Sequence, residues 1–406
     1  MFPCWSETFI LNEISAHYNS GVDISIYSIK HCSENLIHDE AKTFIKNTVH
    51  PYFVFSLTNI RAHFGLMLVT PHIYFKVLLK LLTLKTKDIR VKIKALVIFA
   101  LAPKFILHAK TNKITHFHAH FATYPAILAW IISSFTKKTF TVTAHAHDIY
   151  VNQDLLPIIY ENSSMIFAIS EFNKQFIIDK LGHKHSNKII VLHCGINLQR
   201  FSFHPPPKSN TGKKKISLHL LCIGRLTGIK GYTYLLEALH ILDSQKIPFS
   251  CNIIGDGPLE EKLKSKALQL NIEKKVHFLG SKKTEEIPEF FKTSDVFVLA
   301  CAKDPKEGHD GIPLVFMEAM AYGTPVIGTA ISGIPELIKH QRTGLCVKPM
   351  HSQSLADAII YFSENQLEAA CMITNARKLI ETEFDIRDIA SKQRCLFNKI
   401  ICNNKS

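Results

Sequence analysis

The sequence predicts an α/β protein made of two doubly wound, parallel-sheet domains, and three observations lead there. First, 406 residues at 47% hydrophobic and 20% charged suffice for two domains of ordinary size, each with its own core, and exclude a disordered chain. Second, the latter half carries continuously apolar, strand-like runs at 218–223, 250–254, 276–279, 295–301, 325–329 and 344–347. Helix-like segments such as 232–242 and 259–270 separate them. Strands that are apolar throughout, rather than alternating, belong to parallel sheets covered on both faces. Third, residues 204–215 hold three prolines, a glycine and a lysine run, which suit neither a helix nor a central strand.

These elements set the domain boundaries. Residues 216–385 form one Rossmann-like domain, and 204–215 the linker before it. In residues 1–203 the runs 114–118, 138–143, 165–169 and 188–192 read as strands, each followed by a loop and helix, so a second Rossmann-like domain is expected. Two or three apolar, basic helices are inserted near 60–110. The segment 386–406 reads as a C-terminal helix that packs back on the first domain.

Net charge is +14, and it is unevenly placed. Between Arg61 and Lys113 eleven Lys or Arg face one acid, Asp88, so this stretch carries +10 of the total. No basic motif interleaved with aromatics accompanies it, so no nucleic-acid partner is expected. Because the same stretch is strongly apolar, an anionic membrane surface fits better. On a helical wheel Lys76, Lys80, Thr83 and Lys87 share one side, which places that side at the bilayer. The opening Met1-Phe2-Pro3-Cys4 lacks the pattern of a secretory signal. The most apolar run, 64–84, is broken by His72, Lys76 and Lys80, against a membrane-spanning helix. Ten scattered cysteines without a CxxC pair read as reduced thiols of a cytoplasmic protein.

Two segments carry chemistry. In Gly224-Arg225-Leu226-Thr227-Gly228-Ile229-Lys230-Gly231 a strand gives way to a helix, whose free N–H groups favour an anion. Arg225 and Lys230, five residues apart, add two cations suited to a diphosphate; two solvated surface cations are the plain alternative. In Asp310-Gly311-Ile312-Pro313-Leu314 and the helix that follows, Glu318 sits among apolar neighbours and needs a partner. A ribose diol or a nearby Arg or Lys would serve.

These segments, with Ile254-Gly-Asp-Gly-Pro-Leu259 and Val276-x-Phe278-Leu279-Gly280 in this order, resemble glycosyltransferase family four across the second half. The resemblance implies the GT-B fold, two Rossmann-like domains facing a central cleft. It also implies retaining, metal-independent transfer from a nucleotide-sugar donor to a glycan or lipid-linked acceptor. Arg225 and Lys230 would bind the diphosphate, Glu318 the ribose, and Gly311, Ile312, Pro313 and Leu314 the donor. Phe278, Leu279 and Gly280 would lie by the nucleobase. One departure stands out: Asp310 occupies the first position of a Glu-x7-Glu motif. The charge is kept on a side chain one methylene shorter.

In the first half, Phe2-Pro3-x2-Ser6-Glu7-Thr8-Phe9-Ile10, His116-Phe-His118-Ala-His120 and Thr143-Ala-His145-Ala-His147-Asp148 resemble the family's colanic-acid, exopolysaccharide and lipopolysaccharide subgroup. Ser6, Glu7 and His120 would then line the acceptor side, and His145 would face the donor sugar near the reacting carbon. Histidines two apart on a strand share a face, so geometry alone permits a metal at either set, but the resemblance implies none; no metal or cofactor is expected. No carboxylate stands out as a double-displacement nucleophile, which favours front-face attack by the acceptor hydroxyl. His145 and Asp310 would position the sugar. The alternatives are a sugar-nucleotide epimerase of the same fold and an inactive sugar-nucleotide or lipid-binding scaffold. The resembling family places an apolar strand before the Phe-Pro motif. Here the motif begins at Phe2 and the first 50 residues show no spare strand, so Met1 is expected to be an internal start or the chain truncated, with an N-terminal extension in the native protein.

Overall fold

A computed structural model describes residues 1–4, 7–32, 38–151, 153–204, 217–305 and 307–404. The chain divides into two compact units. One comprises Met1–Ile169, Asn173–Leu192 and Arg387–Ser406; the other comprises Ser170–Phe172 and His193–Ile386.

The first unit holds a two-stranded parallel sheet, β1 (Ile26–Tyr27) with β2 (Thr48–Val49), and a four-stranded parallel sheet. The larger sheet runs β3 (His116–His120), β4 (Thr139–Ala144), β5 (Met165–Ala168), β6 (Ile189–Val191), in that order. The first 50 residues therefore contain strand after all, in two-residue pieces too short to leave a hydrophobic period in the sequence. The expected first strand of this sheet is displaced to 116–120, two residues on. Its odd positions are buried and its three histidines half-buried. The helix Tyr124–Thr136 packs on the sheet with Ile127, Trp130 and Ile131 in the core. Four helices, rather than two or three, occupy the insertion: Leu57–Val69, Pro71–Leu82, Ile89–Leu101 and Pro103–Thr111. Pro71 and Pro103 each sit in a first helical turn, where a missing N–H costs nothing.

The second unit is a six-stranded parallel sheet, β7 (Leu218–Ile223), β8 (Phe249–Ile254), β9 (Val276–Phe278), β10 (Val296–Leu299), β11 (Val326–Thr329) and β12 (Leu345–Val347). Its order is β12-β11-β10-β7-β8-β9. The chain works outward from β7 through β8 and β9, then returns to β10 on the other side. That reversal puts the switch point between β7 and β10, where open α/β sheets hold ligands beyond the carboxyl ends of their strands. Segment 205–216, most of the expected linker, lies outside the described residues. His204 N–H donates to the Tyr322 carbonyl at 3.0 Å within this unit.

The C-terminal helix Ile386–Asn403 belongs, from Arg387, to the first unit. It buries Ile389, Ala390 and Gln393 there and lays Phe397 against His116, His118 and Phe167. All ten cysteines are free thiols.

Candidate active site

In the second unit, the turn after β7 and the loop after β10 meet at the switch point. Residues Gly228–Lys230 form a single 3-10 turn, and Gly231 at φ 65° starts the helix Tyr232–Ser244. A Cβ at Gly231 would run into the carbonyl of Ala300 just beyond β10, so only glycine permits this approach. Lys230 is thereby brought to Asp310, with Nζ 3.0 Å from Oδ2 and both side chains largely buried. Burial opposes the charge on Lys230, but Asp310, helped by Cys301 and Cys222, outweighs it and the lysine pKa is raised. Cys301 Sγ lies 3.7 Å from the same Oδ2. Arg225, five residues earlier, is exposed.

Gly311, Ile312 and Pro313 are buried, and Pro313 forms the N-cap of the helix Leu314–Tyr322. Glu318 lies one turn into that helix. Burial pushes its pKa up to about 7, against a smaller opposing pull from Arg200. No ion pair involving Glu318 occurs among the described residues; the nearby cation acts at longer range. The carboxylate thus lacks a full counter-charge, which suits it to ligand hydroxyls.

The turn at Phe278, Leu279 and Gly280 is tied to the same edge. Leu279 N–H donates to Ile253 O and Gly255 N–H to Gly280 O, each at 2.9 Å, and Leu226 N–H donates to Asp256 O at 2.7 Å. The three glycine-containing turns after β7, β8 and β9 are thus laced together by backbone.

In the first unit, the register of β3 and β4 pairs His120 with Thr143 and so sets His120 beside His145. His120 Nδ1 lies 3.2 Å from His145 Nε2. Burial pushes the His145 pKa down to about 3, helped by His120, so the ring is neutral. Its loop is clamped by Asp148, whose carboxylate accepts from Ala122 N–H at 2.6 Å and His145 N–H at 3.0 Å. Asp148 therefore serves the backbone, not a ligand set, and His147 is exposed. His116 and His118 are tied through both ring nitrogens to Thr139, Thr141 and Thr143 at 2.8–2.9 Å.

Sequence reading missed Glu13. The helix Thr8–Asn19 places Phe9, Glu13 and His17 on one stripe, the i, i+4, i+8 spacing that was its available signal. Phe9 packs against His145 with ring centroids 4.5 Å apart. Glu13 Oε1 lies 3.3 Å from His120 Nε2 and 3.5 Å from His118 Nε2. Burial works against its ionisation. His120, then His118 and His17, nevertheless hold its carboxyl well below the usual range. The ligand atoms of Glu13, His118 and His120 all lie within 4.8 Å of one another. Glu7 precedes the helix, its carbonyl accepting from Ile10 N–H at 3.0 Å. Ser6 lies outside the described residues.

Comparison with known proteins agrees with this geometry. The model of glycosyltransferase family four matches residues 70–200, and that of glycosyl transferases group 1 matches residues 206–379. The amylovoran biosynthesis glycosyltransferase AmsK of Erwinia amylovora is 26% identical over 97% of this chain and 96% of its own length. The colanic acid biosynthesis glycosyltransferase WcaL of Escherichia coli, named as putative, is 33% identical over 49% of this chain and 48% of its own. Among solved structures, a glycosyltransferase of Rickettsia africae superposes with TM-score 0.71 at 19% identity, covering 98% of this chain and 96% of that one. Anabaena HepE in complex with UDP and glucose gives 0.69 at 17% identity, covering 98% and 96%. None of these is an epimerase. Matched by the two halves of the family in order, and built from two Rossmann-like units as GT-B enzymes are, the chain belongs to glycosyltransferase family four.

Proposed function

We propose that the chain transfers a sugar, with retention, from a nucleoside diphosphate donor held by the second unit to a glycan or lipid-linked acceptor in surface polysaccharide synthesis. The buried pair Lys230–Asp310 at the switch point is the observation that carries this reading. Asp310 satisfies Lys230; a donor diphosphate would take over that ammonium and release Asp310 towards the sugar hydroxyls. Arg225, already exposed, would meet the same phosphates, and the two cations would stabilise the charge developing on the leaving group. Glu318 would accept the ribose hydroxyls. His145 would face the sugar, and the departing phosphate oxygen would take the proton of the acceptor hydroxyl. The pathway is supported by the names of the polysaccharide enzymes that the chain resembles.

Arg225→Ala and Lys230→Ala should each lower kcat/KM by roughly 2–4 kcal/mol of transition-state stabilisation. Arg225→Ala should leave the circular-dichroism melt in place, since that side chain is exposed, whereas Lys230→Ala, which strips the buried Asp310 of its ammonium, should also lower the melting temperature. A panel of nucleotide sugars, screened by melting shift, supplies the donor for that assay. Unchanged turnover in both variants overturns the donor assignment.

The acceptor side points to the inner face of the cytoplasmic membrane. No single described helix is long and apolar enough to cross a bilayer; Leu57–Val69 and Pro71–Leu82 pass such a test only together, bent by 112°. What they present is an exposed apolar face, with Phe64, Leu68, Phe75 and Leu79 all more than half exposed. Monomeric soluble proteins rarely leave such a face uncovered, and Arg61 and Lys76 beside it are also exposed. The wheel reading of this helix needs two corrections: the helix ends at Leu82 with Thr83 as its C-cap, so Lys87 lies beyond it, and Lys80 does not face outward. Lys80 turns inward, its Nζ 3.2 Å from Asn162 Oδ1 and 5.8 Å from the Trp130 ring centre. Tertiary packing, which a wheel does not contain, turned that side of the helix.

A further inference from the structure

We propose that Glu13 is a positioning residue for sugar transfer, fixing the proton of His120 on Nε2 so that His145 presents an Nδ1 lone pair to a hydroxyl of the reacting sugar. This rests on the reading that His145 faces the sugar.

The proton inventory leads to it. An ionised carboxylate only accepts hydrogen bonds, so His120 Nε2, 3.3 Å from Glu13 Oε1, must carry the hydrogen. With His120 as the neutral ring that we propose, its other nitrogen is an acceptor. His120 Nδ1 therefore receives its hydrogen from His145 Nε2 at 3.2 Å. With His145 also neutral, its Nδ1 is left with a free lone pair, an acceptor for a hydroxyl.

The neighbours decide why His120 alone conducts this order. His116 and His118 have both nitrogens tied to threonine hydroxyls, which rotate to accept either tautomer. His118 Nε2 also lies 3.5 Å from Glu13 Oε1 and 3.4 Å from Gln393 Nε2, but His120 alone has that carboxylate on one side and His145 on the other. Glu13 is itself held in place. Gln393, fully buried on the C-terminal helix, donates from Nε2 to Glu13 Oε1 at 3.0 Å, and its Oε1 lies 2.7 Å from His17 Nε2. The same three ligand atoms are near enough for a metal ion. A metal there would compete with the Thr143 hydroxyl on His118 Nε2 and with the Gln393 amide on Glu13 Oε1.

The test uses the full chain. Long-range proton–nitrogen correlation spectra of the imidazoles should show wild-type His120 and His145 each as the Nε2–H tautomer. In Glu13→Gln both should become tautomer mixtures, whereas Glu13→Asp should keep more of the wild-type pattern. With UDP-glucose and GDP-mannose each offered as donor, Glu13→Gln should lower kcat about 10- to 100-fold, the scale for a misplaced reacting group. KM for the donor should be little changed. The loss should vanish in a His120→Ala background, because the two residues act in series. Unchanged imidazole spectra in Glu13→Gln, or additive losses in the double variant, overturn the proposal. So does stoichiometric zinc binding that Glu13→Gln abolishes, which would assign the three side chains to a metal. If His145→Ala transfers normally, the reading of His145 falls and this inference with it. If only Glu13→Gln does, the inference falls alone.

Discussion

Glu318 is where a single side chain sets measurable behaviour of the protein. Its carboxyl sits in an apolar helix with only a distant counter-charge, so its pKa in the folded chain is raised to about 7 from 4.5. Between those values the folded protein holds a proton that the unfolded chain has released. Stabilisation from this group is therefore complete below pH 4.5 and lost as pH rises through about 7. Glu318→Gln cannot ionise, so its stability relative to wild type should improve by about 1–3 kcal/mol between roughly pH 5 and pH 8. Thermal melts of both proteins at the two pH values check this. Nucleotide binding should run the other way. Ribose hydroxyls need the ionised carboxylate, so wild-type affinity should weaken as pH falls through about 7, while the glutamine variant should show a flat profile by calorimetry. The residue pattern already marked Glu318 as needing a partner. That Arg200 acts only from a distance depends on the packing of the segment before the linker, which no local pattern records.

At the scale of elements, the helices between Leu57 and Leu101 show how a strand-free insertion acquires a surface of its own. Pro71–Leu82 buries Val77 and Leu81 at 2% and 0% exposure, yet leaves Phe75 and Leu79 at 55% and 61%. The buried residues are those that meet the core around Trp130 and Phe99; the opposite stripe is equally apolar and stays more than half exposed. Replacing both Phe75 and Leu79 by Asp should abolish co-sedimentation with vesicles containing anionic lipid without lowering the melting temperature, because neither side chain belongs to the core. Lys80→Ala should leave vesicle binding intact and destabilise the fold instead, since Lys80 points inward. Sedimentation that ignores the double substitution would remove the membrane reading.

For the whole molecule, the last helix is separated in sequence from the unit it completes. Ile389, Ala390 and Gln393 are buried in the first unit, and Phe397 covers the histidine face of β3. Deleting residues 387–404 should cost the first unit about 3 kcal/mol or more of apolar burial, lowering its melting transition by roughly 5–10 °C. The second unit, whose six-stranded sheet lies wholly between Leu218 and Val347, should unfold where it did before. Hydrogen exchange resolved by peptide separates the two transitions; equal loss of protection in both units would contradict the assignment of this helix.

By itself, the sequence determined the α/β class and the parallel sheet of the second unit nearly strand for strand, and it singled out Arg225, Lys230, Asp310 and Glu318 as the residues on which the donor-site proposal rests. Those features are local: continuous apolar runs, glycines at strand ends and charges at fixed spacing all lie within short windows. Tertiary structure alone decided who meets whom. Lys230 and Asp310 pair because β7 and β10 are neighbours across a reversal in strand order. Glu13 joined the histidines of β3 because a helix from the start of the chain and one from its end converge on that strand. Such contacts depend on the path of the backbone through space, and a spacing along the chain carries no record of it.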